Sequence, residues 1–274
     1  MNINPETKVF GVTGFPLGHS LSPLMHNEAF RVKGINAVYL YFPSVSIKGV
    51  IDGMKGLSVH GLSVTIPHKE AACTRVDELD PLASKIGALN TLLNRNGCIV
   101  GYNTDASGAI DALRTVTTDM HGKTVLIIGA GGAARAVGFA VKQEGCHVTV
   151  ANRSNRRGEA LARDLDATFC PLRELGSISS ADIIIQTTPV GMYPKVDDSV
   201  VPERILAEGM IVMDIVYNPL ETRLIRTARA RGCKTVSGIE MFVRQGAIQF
   251  ELWTGQDAPF DHMMQIVKKQ LLHT

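Results

Sequence analysis

Apolar positions along the chain alternate between two rhythms. Short runs rich in β-branched and aromatic residues ("KVFGVTG", "AVYLYFP", "HGLSVTIP") are separated by amphipathic stretches ("SPLMHNEAFRVKG", "SIKGVIDGMK"). Strand and helix patterns in alternation predict β-α-β units and a parallel sheet. The first helix is expected to end at Gly34. "LNTLLNRNGCIVGYNT" breaks the rhythm, because two β-rich runs flank Asn96-Gly97, a strong hairpin-turn signal. A helix over "ASGAIDALRTV" then leads into the polar stretch "TTDMHGK"; the passage along this helix into the loop is read as the first domain crossing, with a first domain of 1–108 and a second beginning at 109.

Beyond that stretch the alternation resumes through "KTVLIIGAGGAARAVGFAVKQEG", "HVTVANR", "RRGEALARDL", "ADIIIQTTP", "MIVMDIV", "TRLIRTARARG" and "KTVSG". Its strands are continuous apolar runs, such as Val125 to Ile128 and Ile183 to Ile185, as expected where helices cover both faces of a sheet. The tail, "IEMFVRQGAIQFELWTG" and "DHMMQIVKKQLLH", reads as helix with no later strand. On it Met241, Gln245 and Ile248, and Phe242, Gln249 and Trp253, recur at helical spacing and read as core. Gln245 is the polar exception, and a glutamine on an apolar face needs partners. The fold class is therefore α/β, and 274 residues suit one large or two modest domains of about 150 residues.

Composition narrows the function. A hydrophobic share of 45% and a charged share of 20% suit a globular core, and 28 Lys and Arg against 26 Asp and Glu leave a charge of +2. Nucleic-acid binding is not expected from so even a balance. Five cysteines without a C-x-x-C pair, and eight histidines without H-E-x-x-H, indicate neither a disulfide framework nor a metal site. Reduced thiols in the cytoplasm fit that usage. The opening "MNINPETKVFGV" lacks the basic and apolar regions of a secretory signal, and no apolar run reaches the ~18 residues of a membrane span.

"VLIIGAGGAARA" is the most specific local signal. Gly129, Gly131 and Ala134 fit G-x-G-x-x-G/A directly after an apolar strand and at the opening of a helix, the context that a dinucleotide site requires. Glycine lets the backbone approach a pyrophosphate, and the helix N-terminus offers N–H groups and a positive dipole end. After the next strand, "VANRSNRRGEA" carries no acid for ribose hydroxyls; Arg153, Arg156 and Arg157 suit a phosphate instead. The reading is NADP(H), with Arg153 nearest the strand end.

In the first domain, polar clusters follow strands, where open α/β sheets place ligands. Ser20 and Ser22 precede Pro23, a pattern that helix capping by Ser22 would also explain. Thr65 and Lys69 lie in "VTIPHK", Asn90 in "GALNT", and Asn103 and Asp105 in "GYNTD". Singly each suits turn chemistry, and Lys69 taken alone reads as a solvated lysine at a helix start.

Together these stretches resemble the shikimate dehydrogenase family, over nearly the whole chain. "GFPLGHSLSPLMHN", "SVTIPHK", "GALNT", "GYNTD", "GAGGAARA", "ANRS", "DIVYNPLET" and "GIEMFVRQGAIQFELWTG" follow that family's motifs in order. The resemblance implies an N-terminal α/β substrate domain with a mostly parallel sheet, completed by C-terminal helices (1–108 and 240–274), and a Rossmann-like NADP domain (109–239). It implies reversible reduction of 3-dehydroshikimate to shikimate by NADPH, on the route to chorismate and the aromatic amino acids, by a monomer or homodimer acting on a small molecule and binding neither nucleic acid nor membrane.

By the same resemblance, Lys69 and Asp105 form the catalytic pair. Ser20, Ser22 and Tyr217 hold the substrate carboxylate, and Thr65, Asn90 and Gln245 its ring oxygens. Gly129, Ala130, Gly131, Gly132 and Ala133 meet the pyrophosphate, and Asn152, Arg153 and Ser154 the 2′-phosphate end. Thr188 and Ile215 also contact the cofactor, while Gly238 and Met241 lie near the nicotinamide. The chain departs from the family at Ser154, where Thr is common, and at Gln186 and Thr187, where Asn and a small residue are common. The rivals are a quinate/shikimate dehydrogenase of broader specificity and a catalytically silent NADP-binding regulator. A ketone reduction needs hydride and a proton on the developing alkoxide. An ammonium at Lys69 could stabilise that oxyanion or give the proton.

Overall fold

The computed structural model describes residues 3–18, 20–177 and 181–273. The chain divides into two compact units, Met1–Thr104 with Gln245–Gln270, and Asp105–Arg244 with Leu271–Thr274.

The first unit carries β1 (Lys8–Gly14), α1 (Ser22–Lys33), β2 (Ala37–Pro43), α2 (Ile47–Gly56), β3 (Gly61–Val64), β4 (Glu78–Leu79), α3 (Pro81–Ile86), β5 (Thr91–Arg95) and β6 (Cys98–Tyr102). Its sheet has the order β2-β1-β3-β5-β6-β4. β2 and β3 run parallel to β1, β5 and β6 form an antiparallel hairpin beside β3, and β4 lies parallel to β6. The hairpin turns where the sequence predicts it: Asn96 and Gly97 have φ of 54° and 92°, the left-handed pair that an Asn-Gly turn supplies. α1 ends as expected, at Gly34 in the left-handed conformation.

Three expectations change. Strand β3 stops at Val64, so Thr65, Ile66 and Pro67 lie beyond it. Lys69 does not open an α-helix; a short 3-10 turn, Ala71–Thr74, follows it. Leu21, not Ser22, is the N-cap of α1, and it offers no side-chain cap, so capping does not account for the serine pair.

The second unit carries α4 (Asp105–Leu113), β7 (Thr124–Ile128), α5 (Gly132–Gln143), β8 (His147–Asn152), α6 (Asn155–Asp164), β9 (Thr168–Pro171), β10 (Ile183–Gln186), β11 (Ile211–Asp214), α7 (Arg223–Ala230) and β12 (Lys234–Val236). Its six strands are all parallel, in the order β12-β11-β10-β7-β8-β9. This is the doubly wound arrangement, whose order reverses between β7 and β10. Leu126, Ile128, Ile184 and Val212 on the central strands are buried together, which explains their unbroken apolar runs. α8 (Gly238–Thr254) and α9 (Phe260–Leu272) complete the chain.

Candidate active site

In the first unit, topology gathers the polar clusters at one sheet edge. β1 and β3 end there, and the antiparallel hairpin begins and returns there. Thr65 after β3, Asn90 before β5 and Thr104 after β6 therefore share an edge, and the Ser20–Ser22 segment after β1 joins it. Ser20 Oγ donates to Ser22 Oγ over 3.2 Å and accepts from the Ser22 N–H over 3.3 Å, which fixes the two hydroxyls side by side. The Tyr41 hydroxyl donates to Ser20 O at 2.8 Å.

Asn90 is buried and held from several directions. Its amide donates to Thr104 Oγ1 at 2.9 Å and to Gln245 Oε1 at 3.2 Å, and its carbonyl oxygen accepts from Thr91 Oγ1 and Thr104 N, both at 2.8 Å. Lys69 is half-buried. Its backbone oxygen accepts from Leu89 N at 2.9 Å, which ties the Lys69 backbone to the residue just before Asn90. His68 beside it is buried, with Nε2 2.7 Å from Ser44 O. Asp105 follows Thr104 directly, is buried, and opens α4 in the second unit.

Behind Asn90 lies a buried polar chain. Tyr39 OH donates to Ser63 Oγ at 2.6 Å, and Ser63 Oγ donates to Gln249 Oε1 at 2.7 Å. Gln249 Nε2 in turn donates to Thr91 Oγ1 at 2.8 Å and to Asn90 O at 3.1 Å. Gln249 is thus no simple core position. Neither Thr104 nor Gln249 is among the candidate site residues read from the sequence, where Gln249 reads as core. A second glutamine in an apolar stripe of α8 is the signal available for one of them, and a place inside "GYNTD", between Asn103 and Asp105, is the signal for the other.

The expected cofactor residues of the second unit lie at the C-terminal edge of its parallel sheet, beside the switch point. Gly129 has φ 123°, a conformation that favours glycine, and a Cβ there would come within 3.2 Å of Thr188 Cγ2. Gly131 is the N-cap of α5; a Cβ on it would meet nothing within 4 Å, no side chain caps the helix, and no acid occupies its first turn. Space, N–H groups and dipole together fit a pyrophosphate. Arg153, Arg156 and Arg157 are exposed at the start of α6, whose first turn holds no acid. Arginines there oppose the helix dipole unless an anion joins them, so this end fits a phosphate as well. Ser154 caps α6 by accepting from Arg157 N at 3.5 Å, and Asn152 Nδ2 donates to Ser154 O at 2.9 Å. Met241 is buried, and Tyr217 stacks on Phe242 with ring centroids 4.2 Å apart.

Comparison with known proteins decides the family. The shikimate dehydrogenase substrate-binding domain matches residues 12–92, the shikimate/quinate 5-dehydrogenase domain residues 111–217, and the shikimate 5′-dehydrogenase C-terminal domain residues 238–268. A shikimate dehydrogenase (NADP+) of Methanothermobacter thermautotrophicus is 44% identical over 98% of this chain and 99% of its own. The chain belongs to the shikimate dehydrogenase family. A crystal structure of a shikimate dehydrogenase in complex with NADP+ superposes with a TM-score of 0.92 at 41% identity, covering 98% of each chain. That of the Thermus thermophilus shikimate 5-dehydrogenase, in complex with NADP(H) and shikimate, gives 0.87 at 35% identity over 96% of this chain and 99% of that one.

Membership gives the two departures a setting. Ser154 keeps a hydroxyl where the family commonly has Thr, and that hydroxyl serves the α6 cap. Gln186, where the family commonly has Asn, is buried and turned inward rather than toward an open edge. No helix among the described residues is long and apolar enough to cross a membrane.

Proposed function

We propose that the chain catalyses the reversible NADPH-dependent reduction of 3-dehydroshikimate to shikimate. The single observation that carries this reading is the Asn90 cluster, which fixes a ring-recognising amide and the Lys69 backbone at one sheet edge, with Thr65 at the same edge. Family membership supplies the reaction class, and the exposed arginines of α6 with the uncapped α5 support NADP(H) as the cofactor.

Bound NADPH supplies hydride to a carbonyl carbon. The chain's own residues do the rest. Thr65, Asn90 and Gln245 hold ring oxygens; Asn90 exchanges its 3.2 Å contact with Gln245 for one, while Thr91 and Thr104 keep its amide oriented, so little ordering cost remains. Ser20 and Ser22 present paired hydroxyls to a carboxylate, assisted by Tyr217. The Lys69 ammonium stabilises negative charge on the reacting oxygen and gives the proton that makes the alcohol, while Asp105 orients Lys69. Gly129 to Ala133, Asn152, Arg153, Ser154, Thr188, Ile215, Gly238 and Met241 form the cofactor side. The functional division is 1–108 with 240–274 for substrate and 109–239 for NADP(H). All of these groups come from one chain, so a monomer or a homodimer serves equally. The five cysteines are all free thiols, which suits the cytoplasm.

Adding shikimate and NADP+ should raise absorbance at the reduced nicotinamide band. No turnover at high enzyme concentration would instead favour a silent NADP-binding protein.

A further inference from the structure

Gln186 ends β10 and Asp214 ends β11, neighbouring parallel strands that pair these two residues in register. Both are buried, and neither belongs to the groups assigned above to substrate or cofactor. The Gln186 amide shares its two hydrogens among Thr188 O at 2.9 Å, Val190 O at 3.1 Å and Asp214 Oδ1 at 3.2 Å. Its own oxygen accepts from Thr188 N. One side chain therefore fills the inside of the turn after β10 and takes up that turn's polar backbone groups.

The turn so formed lies against the fingerprint glycine. Thr187 N and Oγ1 both donate to Ile128 O, at 2.9 and 2.7 Å, and Thr188 Cγ2 limits what could occupy position 129. Asp214 does the same for the next crossover. Its Oδ1 accepts from Val216 N at 3.0 Å and its Oδ2 from Thr222 Oγ1 at 2.7 Å, while Thr222 caps α7 by accepting from Ile225 N. The backbone at 215–216 in turn presses on Gly238, where a Cβ would stand 2.7 Å from Ile215 C. Thus Thr188, Ile215, Gly129 and Gly238, residues from four separate stretches of chain, lie in or against the two segments that this buried amide–carboxylate contact joins.

We propose that Gln186, anchored on Asp214, is a positioning residue for the nicotinamide dinucleotide: it holds the turn after β10 against Gly129 and the segment 215–216 against Gly238, without touching the cofactor's 2′-phosphate. The proposal rests on reading this edge as the NADP(H) site. An apolar residue at 186 would leave Thr188 O, Val190 O and Asp214 short of a donor, and the turn would spend only part of its time in the binding geometry. Because the segments involved serve the part of the dinucleotide common to both cofactors, the loss falls on NADPH and NADH alike.

The test is fluorescence titration of NADPH and of NADH into wild type, Gln186→Leu, Gln186→Asn and Arg153→Ala, with shikimate binding and thermal melting measured beside them. Gln186→Leu should weaken both nucleotides by a similar factor, roughly tenfold if the competent turn falls to about a tenth of the population. Gln186→Asn retains an amide and should recover most of that loss, and shikimate binding should stay within error of wild type. Arg153→Ala should instead weaken NADPH selectively. Unchanged nucleotide affinity in Gln186→Leu overturns the proposal, as does a loss confined to NADPH or an equal loss of shikimate binding. If the leucine variant does not fold, Gln186→Asn carries the decision: a small loss shared by both nucleotides supports the proposal, and a loss of shikimate binding or of NADPH alone overturns it. Failure of wild type to bind either nucleotide would overturn the NADP(H) reading itself.

Discussion

Lys69 shows how little a residue reveals by itself. In sequence it resembles any lysine after a strand, and its neighbours determine its reading: its backbone is tied to Leu89, and Asn90 next in the chain is held by Thr104 and Gln245. If Lys69 stabilises the reacting oxygen and gives the proton, Lys69→Ala should lower kcat roughly a hundredfold or more and leave KM for shikimate nearly unchanged. A variant whose loss lies mainly in KM would mark Lys69 as a ground-state binder. On the cofactor side, Arg153→Ala should raise KM for NADPH far more than for NADH, because only the 2′-phosphate distinguishes the two; equal losses in steady-state kinetics would remove that assignment. The placement of Asn90, Thr65 and the glycine fingerprint beside strand ends is legible in the sequence because each sits in a motif. Gln186 and Asp214 were not read as a pair, because their contact joins neighbouring strands that are distant in sequence, and only the strand register reveals it.

At the scale of elements, long periodic segments were legible and short ones were not. The hairpin at Asn96-Gly97 and the helix ending at Gly34 follow from turn and cap chemistry confined to a few residues. The two-residue strand β4, the six-residue helix α3 and the four-residue strand β9 are too short for a period to emerge, and tertiary pairing defines them. α8 carries the clearest consequence. Gln249 on its buried face satisfies Ser63, Thr91 and the backbone of Asn90, while Trp253 Nε1 on the same stripe donates to Leu92 O at 3.1 Å. Gln249→Leu strands those groups and should cost about 1–3 kcal/mol in chemical denaturation, since buried polar groups left unpaired lose their desolvation cost in full. Loss of the contact to Asn90 O should also raise KM for shikimate. Wild-type stability in that variant would show that the polar chain does not matter to the fold.

For the whole molecule, two buried ionisable groups set opposite pH dependences, one in each unit. His26 on α1 is fully buried, stacked on Tyr39 at 4.6 Å, and its ring nitrogens meet no hydrogen-bond partner among the described residues. Burial lowers its pKa from 6.5 to about 3, against an opposing pull from the neighbouring Gln249. The unfolded chain then binds the extra proton below pH 6.5, so the stability that neutral His26 permits is complete above that pH and declines as pH falls, by about 2 kcal/mol at pH 5. Asp214 behaves in the opposite sense: burial raises its pKa from 3.8 to about 6 against the pull of Val216, Thr222 and Gln186. Its contribution is complete below 3.8 and is lost as pH rises through 6, a change of about 3 kcal/mol by pH 7. Melting curves between pH 4 and 7 should therefore separate the variants. Relative to wild type, His26→Phe gains stability toward acid and Asp214→Asn gains it toward neutrality; parallel pH profiles for all three proteins would contradict both assignments.

Substrate and cofactor choice belong to the assembled chain, and they are read together in kcat/KM for shikimate and for quinate, each with NADP+ and with NAD+. Shikimate with NADP+ should exceed every other pair by a wide margin; equal efficiency with quinate and NAD+ would overturn the assignment.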